Sequence, residues 1–200
     1  AKVIKDMIVV NNVIELKRLI DQRIEERGPN CDLNDIDVSR VTRMYGLFEG
    51  TEFNGDISKW DVSNVVSMDY MFANSYFNGD ISKWDVSNVV SMEGVFMKTL
   101  FNGDISSWDT SKVENMYCMF ADSYFNNDIS KWNVSKVKDM SWLFNNSVFN
   151  GDISSWDTSN VEDMHGMFAK TQFNGNISSW NTSSVKDMSF MFKDSIFNGD

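Results

Sequence analysis

Histidine and proline each occur once in this chain, as His165 and Pro29, and cysteine occurs twice, as Cys31 and Cys118. The scarcity of histidine excludes a repeated nucleophile–base site, because one imidazole cannot serve several serine copies. The two cysteines stand at non-equivalent positions, with no CxxC pair and no Cys/His cluster. A disulfide framework would repeat its cysteines along with everything else, so none is expected. Long apolar runs are also missing. The stretch Met7-Ile8-Val9-Val10 near the start is too short for a membrane span or for the apolar core of an export signal. Positive charge is thin, with 18 Lys+Arg against 29 Asp+Glu and a formal net charge of -11. Nucleic acid and anionic membrane both need a clustered basic face, so neither is expected as a partner. Aromatic content of 14% and hydrophobic content of 42% are too high for a disordered acidic tail.

What the chain has in abundance is repetition. Phe53, Phe77, Phe101, Phe125, Phe149, Phe173 and Phe197 recur every 24 residues without an insertion. Isoleucine follows at Ile57, Ile81, Ile105, Ile129, Ile153 and Ile177, and tryptophan at Trp60, Trp84, Trp108, Trp132, Trp156 and Trp180. Methionine recurs from Met44 to Met188 and a second phenylalanine from Phe48 to Phe192. Residues 29–200 therefore read as one degenerate unit (29–52), six full 24-residue units, and a truncated seventh at 197–200. Strict spacing marks a solenoid, in which each unit buries its apolar residues only by stacking on its neighbours.

Within a unit, Asp56-Ile57-Ser58 fits a short strand with Ile57 inward, and stacked strands would form a parallel sheet. Val65, Met68 and Phe72 recur at helical steps, and Ser63 stands where a helix N-cap belongs. Residues 1–28 break the pattern and read as an N-terminal cap of strand and amphipathic helix. Asn12 precedes the apolar stripe Val13, Leu16, Ile20 and Ile24, Glu15 offers a capping-box partner, and Gly28-Pro29 stops the helix. No segment within these 200 residues reads as a cap on the last unit, and end-to-end contact through that end is an expectation.

Two acidic columns run through the repeats. Asp56, Asp80, Asp104, Asp128 and Asp152 align with Asn176, and Asp61, Asp85, Asp109 and Asp157 align with Asn133 and Asn181. A calcium ladder is one reading, since hard cations favour such oxygens. Turn-capping through backbone N–H groups fits better, because asparagine does that equally well. Hydroxyl columns at Ser58 and at Thr51, Ser75 and their equivalents read as ladders between stacked turns. The tryptophan and methionine columns read as core. His165 stands in a tolerant, solvated column.

Variation within a fixed frame is how stacked repeats build binding surfaces. One column reads Gly46, Tyr70, Gly94, Cys118, Trp142, Gly166, Phe190, and Val66, Glu114, Lys138, Tyr76, Leu100, Val148 and Gln172 vary as well. Tyr70, Cys118, Trp142 and Phe190 are the candidate interaction surface, with the aromatics expected on one exposed face.

The phrases WDVSNVVSMDYMF, WDTSKVENMYCMF and WNVSKVKDMSWLF resemble the repeat of BspA-type leucine-rich-repeat surface proteins over residues 29–200. The leading helix followed by CDLNDIDVS also resembles the usual start of such regions. The resemblance implies a leucine-rich-repeat-like solenoid, extracellular or cell-surface exposure, and adhesion or partner binding, with no catalytic residues to carry over. Together these readings predict an α/β fold: a right-handed leucine-rich-repeat-like solenoid of 24-residue units, each a short parallel strand plus a short helix, with an N-terminal helical cap. The expected function is non-catalytic binding of a protein or cell-surface ligand, without cofactors. A structural spacer or assembly component is the alternative, and a calcium-dependent or carbohydrate binder is the weaker third class.

Overall fold

The computed structural model describes residues 6–199. Strand β1 (Ile8–Val9) is followed by helix α1 (Val13–Arg27) and strand β2 (Ile36–Asp37). β1 and β2 pair in parallel, with Ile8 opposite Ile36 and Val9 opposite Asp37. The Asn12 side chain accepts the N–H of Glu15 at 3.0 Å and caps α1 at its start. Glu15 reaches back to the N–H of Asn11 at 2.8 Å, one residue before the position a capping box uses. Gly28 ends the helix at φ 86, with its N–H on the Ile24 carbonyl. α1 buries Leu16 and Ile20 on the apolar core, and buried Arg23 forks onto both oxygens of Asp35 at 3.0 and 2.8 Å.

Beyond β2 the repeated units lie directly on one another. Parallel bridges run through Arg43, Ser67, Ser91, Asn115, Asp139, Asp163 and Asp187, one residue of each unit. The backbone around this column uses its hydrogen bonds alternately. Met68, Tyr70, Phe72 and Asn74 donate to Ser91, Glu93, Val95 and Met97 of the next unit at 3.0, 2.7, 3.1 and 2.8 Å. Met71 and Ala73 instead close tight turns on Met68 and Tyr70 at 3.0 and 3.2 Å.

This pattern overturns the expected helix in each unit. A helix sends every N–H to the carbonyl four residues earlier, but here alternate N–H groups leave for the neighbouring unit. Tyr70 and Asn74 also adopt φ 56 and 52, which no right-handed helix contains. Val65, Met68 and Phe72 still face inward, because successive three-residue turns return side chains to the same side much as a helix does. The expected strand at Asp56-Ile57-Ser58 is likewise a turn, with the Trp60 N–H on the Ile57 carbonyl at 3.2 Å. Inter-unit pairing falls on the Ser67 column instead, and the Asp56 column contributes a single bridge, to Asp32.

The core is a set of aromatic columns. Phe72 and Phe96 stack at 5.8 Å between centroids, and Phe77 and Phe101 at 6.2 Å. Across the boundary between successive units Phe72 lies 4.3 Å from Phe77, so the two phenylalanine columns form one block. The tryptophan column is buried beside them, from Trp60 and Trp84 at 4% exposed to Trp180 at 9%. Each indole N–H donates to a carbonyl of the preceding unit, as Trp84 does to Ile57 at 3.0 Å and Trp132 to Ile105 at 2.9 Å. An aromatic that must bury a polar N–H thus fixes the position of the next unit. The methionines from Met44 to Met164 fill the remaining space, fully buried.

Candidate functional site

The acidic columns act on their own turns. The Asp80 carboxylate accepts the Ser82 N–H at 2.9 Å and its hydroxyl at 2.7 Å. Asp85 does the same for Ser87 at 3.0 and 2.6 Å, and Asn133 for Ser135 at 3.0 and 2.6 Å. These bonds hold the Asp80, Asp85, Asp104 and Asp157 carboxyls below the ordinary carboxylate value. Ser63 is therefore the turn's donor to Asp61 rather than a helix cap. The expected hydroxyl ladders between units are replaced by bonds within a unit, such as Ser75 to the Phe72 carbonyl at 2.7 Å. Hydroxyls of other columns do cross between units, as Ser155 does to the Ser130 carbonyl at 3.0 Å and Thr158 to that of Asn181 at 3.0 Å, and a continuous ladder is built from asparagine. Asn54 accepts the Asn78 N–H at 2.8 Å, Asn78 that of Asn102 at 3.1 Å, and Asn102 that of Asn126 at 2.8 Å. The asparagine after each opening phenylalanine was the available signal for it.

The variable column occupies a left-handed turn position in every unit. Tyr70, Cys118, Trp142 and Phe190 have φ 56, 46, 57 and 58, alongside Gly46, Gly94 and Gly166 at φ 57, 60 and 60. Glycine is the default there, and a bulky side chain costs about 1–2 kcal/mol of backbone strain. The rings lean onto the next unit. An added methyl group at Gly94 would collide with the Tyr70 ring, and one at Gly166 with the Trp142 indole. Tyr70 and Trp142 are consequently half-buried, Cys118 is buried at 5% exposed, and Phe190 is exposed. Of the aromatics expected on one exposed face only Phe190 is exposed, because Tyr70 and Trp142 lean onto the next unit; Cys118, the fourth candidate, lies beneath the Tyr70 hydroxyl.

Three of the four candidates share one cleft. Tyr70, Met97, Tyr117, Cys118, Asp122 and Trp142 line much of an open space of about 490 Å³. The Tyr70 hydroxyl donates to Glu93 at 2.6 Å and lies 4.0 Å from the Cys118 sulfur. Burial pushes the Cys118 thiol up to about 12, and the charges of Glu93, Asp139 and Asp122 push it the same way. Burial also raises the Tyr117 hydroxyl, followed by Cys118, Glu93 and Asp139. At neutral pH the thiol is protonated, which makes it a poor nucleophile. The chemistry of the cleft is that of aromatic faces under a negative potential.

Phe190 stands apart, joined to the cleft through His165. The imidazole meets Trp142 edge-on at 4.8 Å and Phe190 edge-on at 5.3 Å, so its column is not simply solvated. Ser189 and Asp187 both approach the same nitrogen of His165, Nδ1, at 2.5 and 3.5 Å. Ser189 also donates its hydroxyl to Asp187. A catalytic relay needs its acid and its nucleophile on opposite ring nitrogens, and this cluster does not have that arrangement.

A second exposed feature is a ridge along the stack. Tyr76, Leu100, Tyr124 and Val148 are 61%, 53%, 61% and 49% exposed in four consecutive units. Sequence reasoning picked out Tyr76, Leu100 and Val148 for their variation but missed Tyr124, which repeats the tyrosine of Tyr76. Another outer column carries alternating charge, with Glu114 4.0 Å from Lys138 and Glu162 2.8 Å from Lys186. No helix among the described residues is long and apolar enough to cross a membrane.

The model of a family described as "Mycoplasma protein of unknown function, DUF285" matches the chain over residues 15–127, 76–172 and 123–200. The overlapping matches follow the repeats. No curated protein and no solved structure matches the chain.

Proposed function

The chain belongs to the DUF285 family, and from that premise we propose that it is a non-catalytic repeat scaffold for binding macromolecules, of the BspA-type leucine-rich-repeat kind, working in adhesion at a cell surface. In this reading residues 29–200 form a right-handed solenoid and residues 1–28 cap one end. The observation that carries it is the contrast between frame and surface. Phenylalanine, tryptophan and methionine are held in buried columns, while aromatic and aliphatic side chains stand exposed on the Tyr76–Val148 ridge and half-exposed in the Tyr70–Trp142 cleft. Exposed apolar side chains that contribute nothing to the core are what a binding surface needs. A rigid stack presents them with little ordering cost on association.

The alternative is a spacer or assembly component, and one observation favours it. Tyr70 and Trp142 lie against the glycines of the next unit, which is packing between repeats. Capture of extracellular host proteins or glycans by the immobilised chain separates the two. Binding that is lost on Tyr76→Ser/Tyr124→Ser, with an unchanged melt, supports the scaffold reading. Absence of any captured protein or glycan overturns it in favour of the spacer.

A further inference from the structure

The cleft between Tyr70 and Trp142 has a composition that its packing role does not account for. Its lining combines three aromatic side chains, Tyr70, Tyr117 and Trp142, with one carboxylate, Asp122, and no lysine or arginine. Glu93 and Asp139 stand close behind, and both act on the Cys118 thiol and the Tyr117 hydroxyl as negative charges. Glu93 is already engaged by the Tyr70 hydroxyl, and Asp139 by the N–H and hydroxyl of Ser141 at 2.8 and 2.6 Å. Asp122 accepts one bond, from the Asn146 side chain at 2.7 Å, and keeps a further acceptor oxygen. Lys98 precedes Asp122 in the same column, is exposed, and forms no ion pair with it.

Aromatic faces attract a cation through their quadrupoles, and a flanking carboxylate adds a charge-assisted hydrogen bond. A guanidinium suits this cleft better than an ammonium, because it is flat, weakly hydrated and able to stack on an indole while donating sideways. The net charge of -11 draws basic segments towards the molecule as a whole. Building on the scaffold reading above, we infer that the cleft formed by Tyr70, Tyr117, Cys118, Asp122 and Trp142 receives an arginine side chain from a basic segment of a partner protein.

Trp142 is the one tryptophan outside the buried column, so its indole N–H resonance reports on the cleft alone. The experiment titrates the intact chain with tri-arginine amide and, in parallel, with tri-citrulline amide, which keeps the shape and removes the charge. A saturable shift of the Trp142 indole with tri-arginine, weakened about threefold or more with tri-citrulline and in Asp122→Asn, is the expected result. Asparagine tolerates the left-handed backbone of residue 122 (φ 53) and still accepts from Asn146, so that variant keeps the fold. Asp152→Asn, the same charge change on a distant turn, leaves the titration unaltered. An absent shift, equal binding of tri-citrulline, or an Asp122→Asn titration identical to the parent overturns the assignment. Captured host proteins that bind the parent and Asp122→Asn alike, alongside a failed arginine titration, leave the scaffold reading intact and remove only the cleft. Arginine binding at Trp142 with no captured partner does the reverse.

Discussion

The Tyr70 ring lies across Gly94 of the following unit, in the space a β-carbon on residue 94 would occupy. The same relationship joins Trp142 to Gly166. A large residue in the left-handed column therefore requires a small one a unit later, and variation along that column is coupled between neighbours. Plain drift would show no such pairing.

Gly94→Ala should destabilise the chain by roughly 2–5 kcal/mol, the sum of left-handed strain and overpacking against Tyr70. In a Tyr70→Ala background the overpacking disappears, and only the strain of about 1–2 kcal/mol remains. Urea unfolding of the two single variants and the double variant measures this coupling. Additive effects would show that the ring and the glycine are independent.

Trp84→Phe keeps an aromatic in the column but leaves the Ile57 carbonyl without its indole donor. That carbonyl keeps the Trp60 N–H, so the expected loss is that of one hydrogen bond, about 0.5–1.5 kcal/mol, together with the packing lost when phenylalanine replaces the larger indole. Trp142→Phe has no such carbonyl to abandon and should cost less than Trp84→Phe in the same denaturation series.

At Asp80 the side chain serves as an acceptor for the Ser82 N–H and hydroxyl. Asp80→Asn should leave stability nearly unchanged, whereas Asp80→Ala should lose about 0.5–1.5 kcal/mol. Because turn-capping accounts for the column, thermal melts with added calcium and with a chelator should coincide. A calcium-dependent rise in Tm would reinstate the ladder of cations.

Stability should fall at both extremes of pH, for opposite reasons. The Asp80, Asp85, Asp104 and Asp157 carboxyls lie below their ordinary 3.8 in the folded chain, so their contribution is present above that value and is lost as pH falls through the lowered ones. Tyr70 and Cys118 are raised above their ordinary 10.0 and 9.0, so their contribution is complete below those values and is lost as pH rises beyond them. Denaturation from pH 2 to 11 should show a plateau between the two limbs, and Tyr70→Phe should flatten the alkaline one.

The 24-residue period, the membership of the buried columns apart from the exposed Met188, the span of α1 between Asn12 and Gly28, and the turn-capping role of Asp61 and Asp80 were all legible in the sequence. Each depends on residue type at short range or on repetition, and both are written in the chain. The candidates Tyr70, Cys118 and Trp142 were also findable, because a shared column in the repeat becomes a shared line in the stack. Their partner walls Tyr117 and Asp122 were not singled out, since they belong to neighbouring columns that only folding brings to the same cleft. The step from Val65 to Met68 to Phe72 fits a helix and a run of tight turns equally well. Only the tertiary structure chose between them, because the carbonyls that take the N–H groups of Met68, Tyr70 and Phe72 belong to the next unit. Local spacing sets which side chains face inward, and contact between units sets where the backbone hydrogen bonds go.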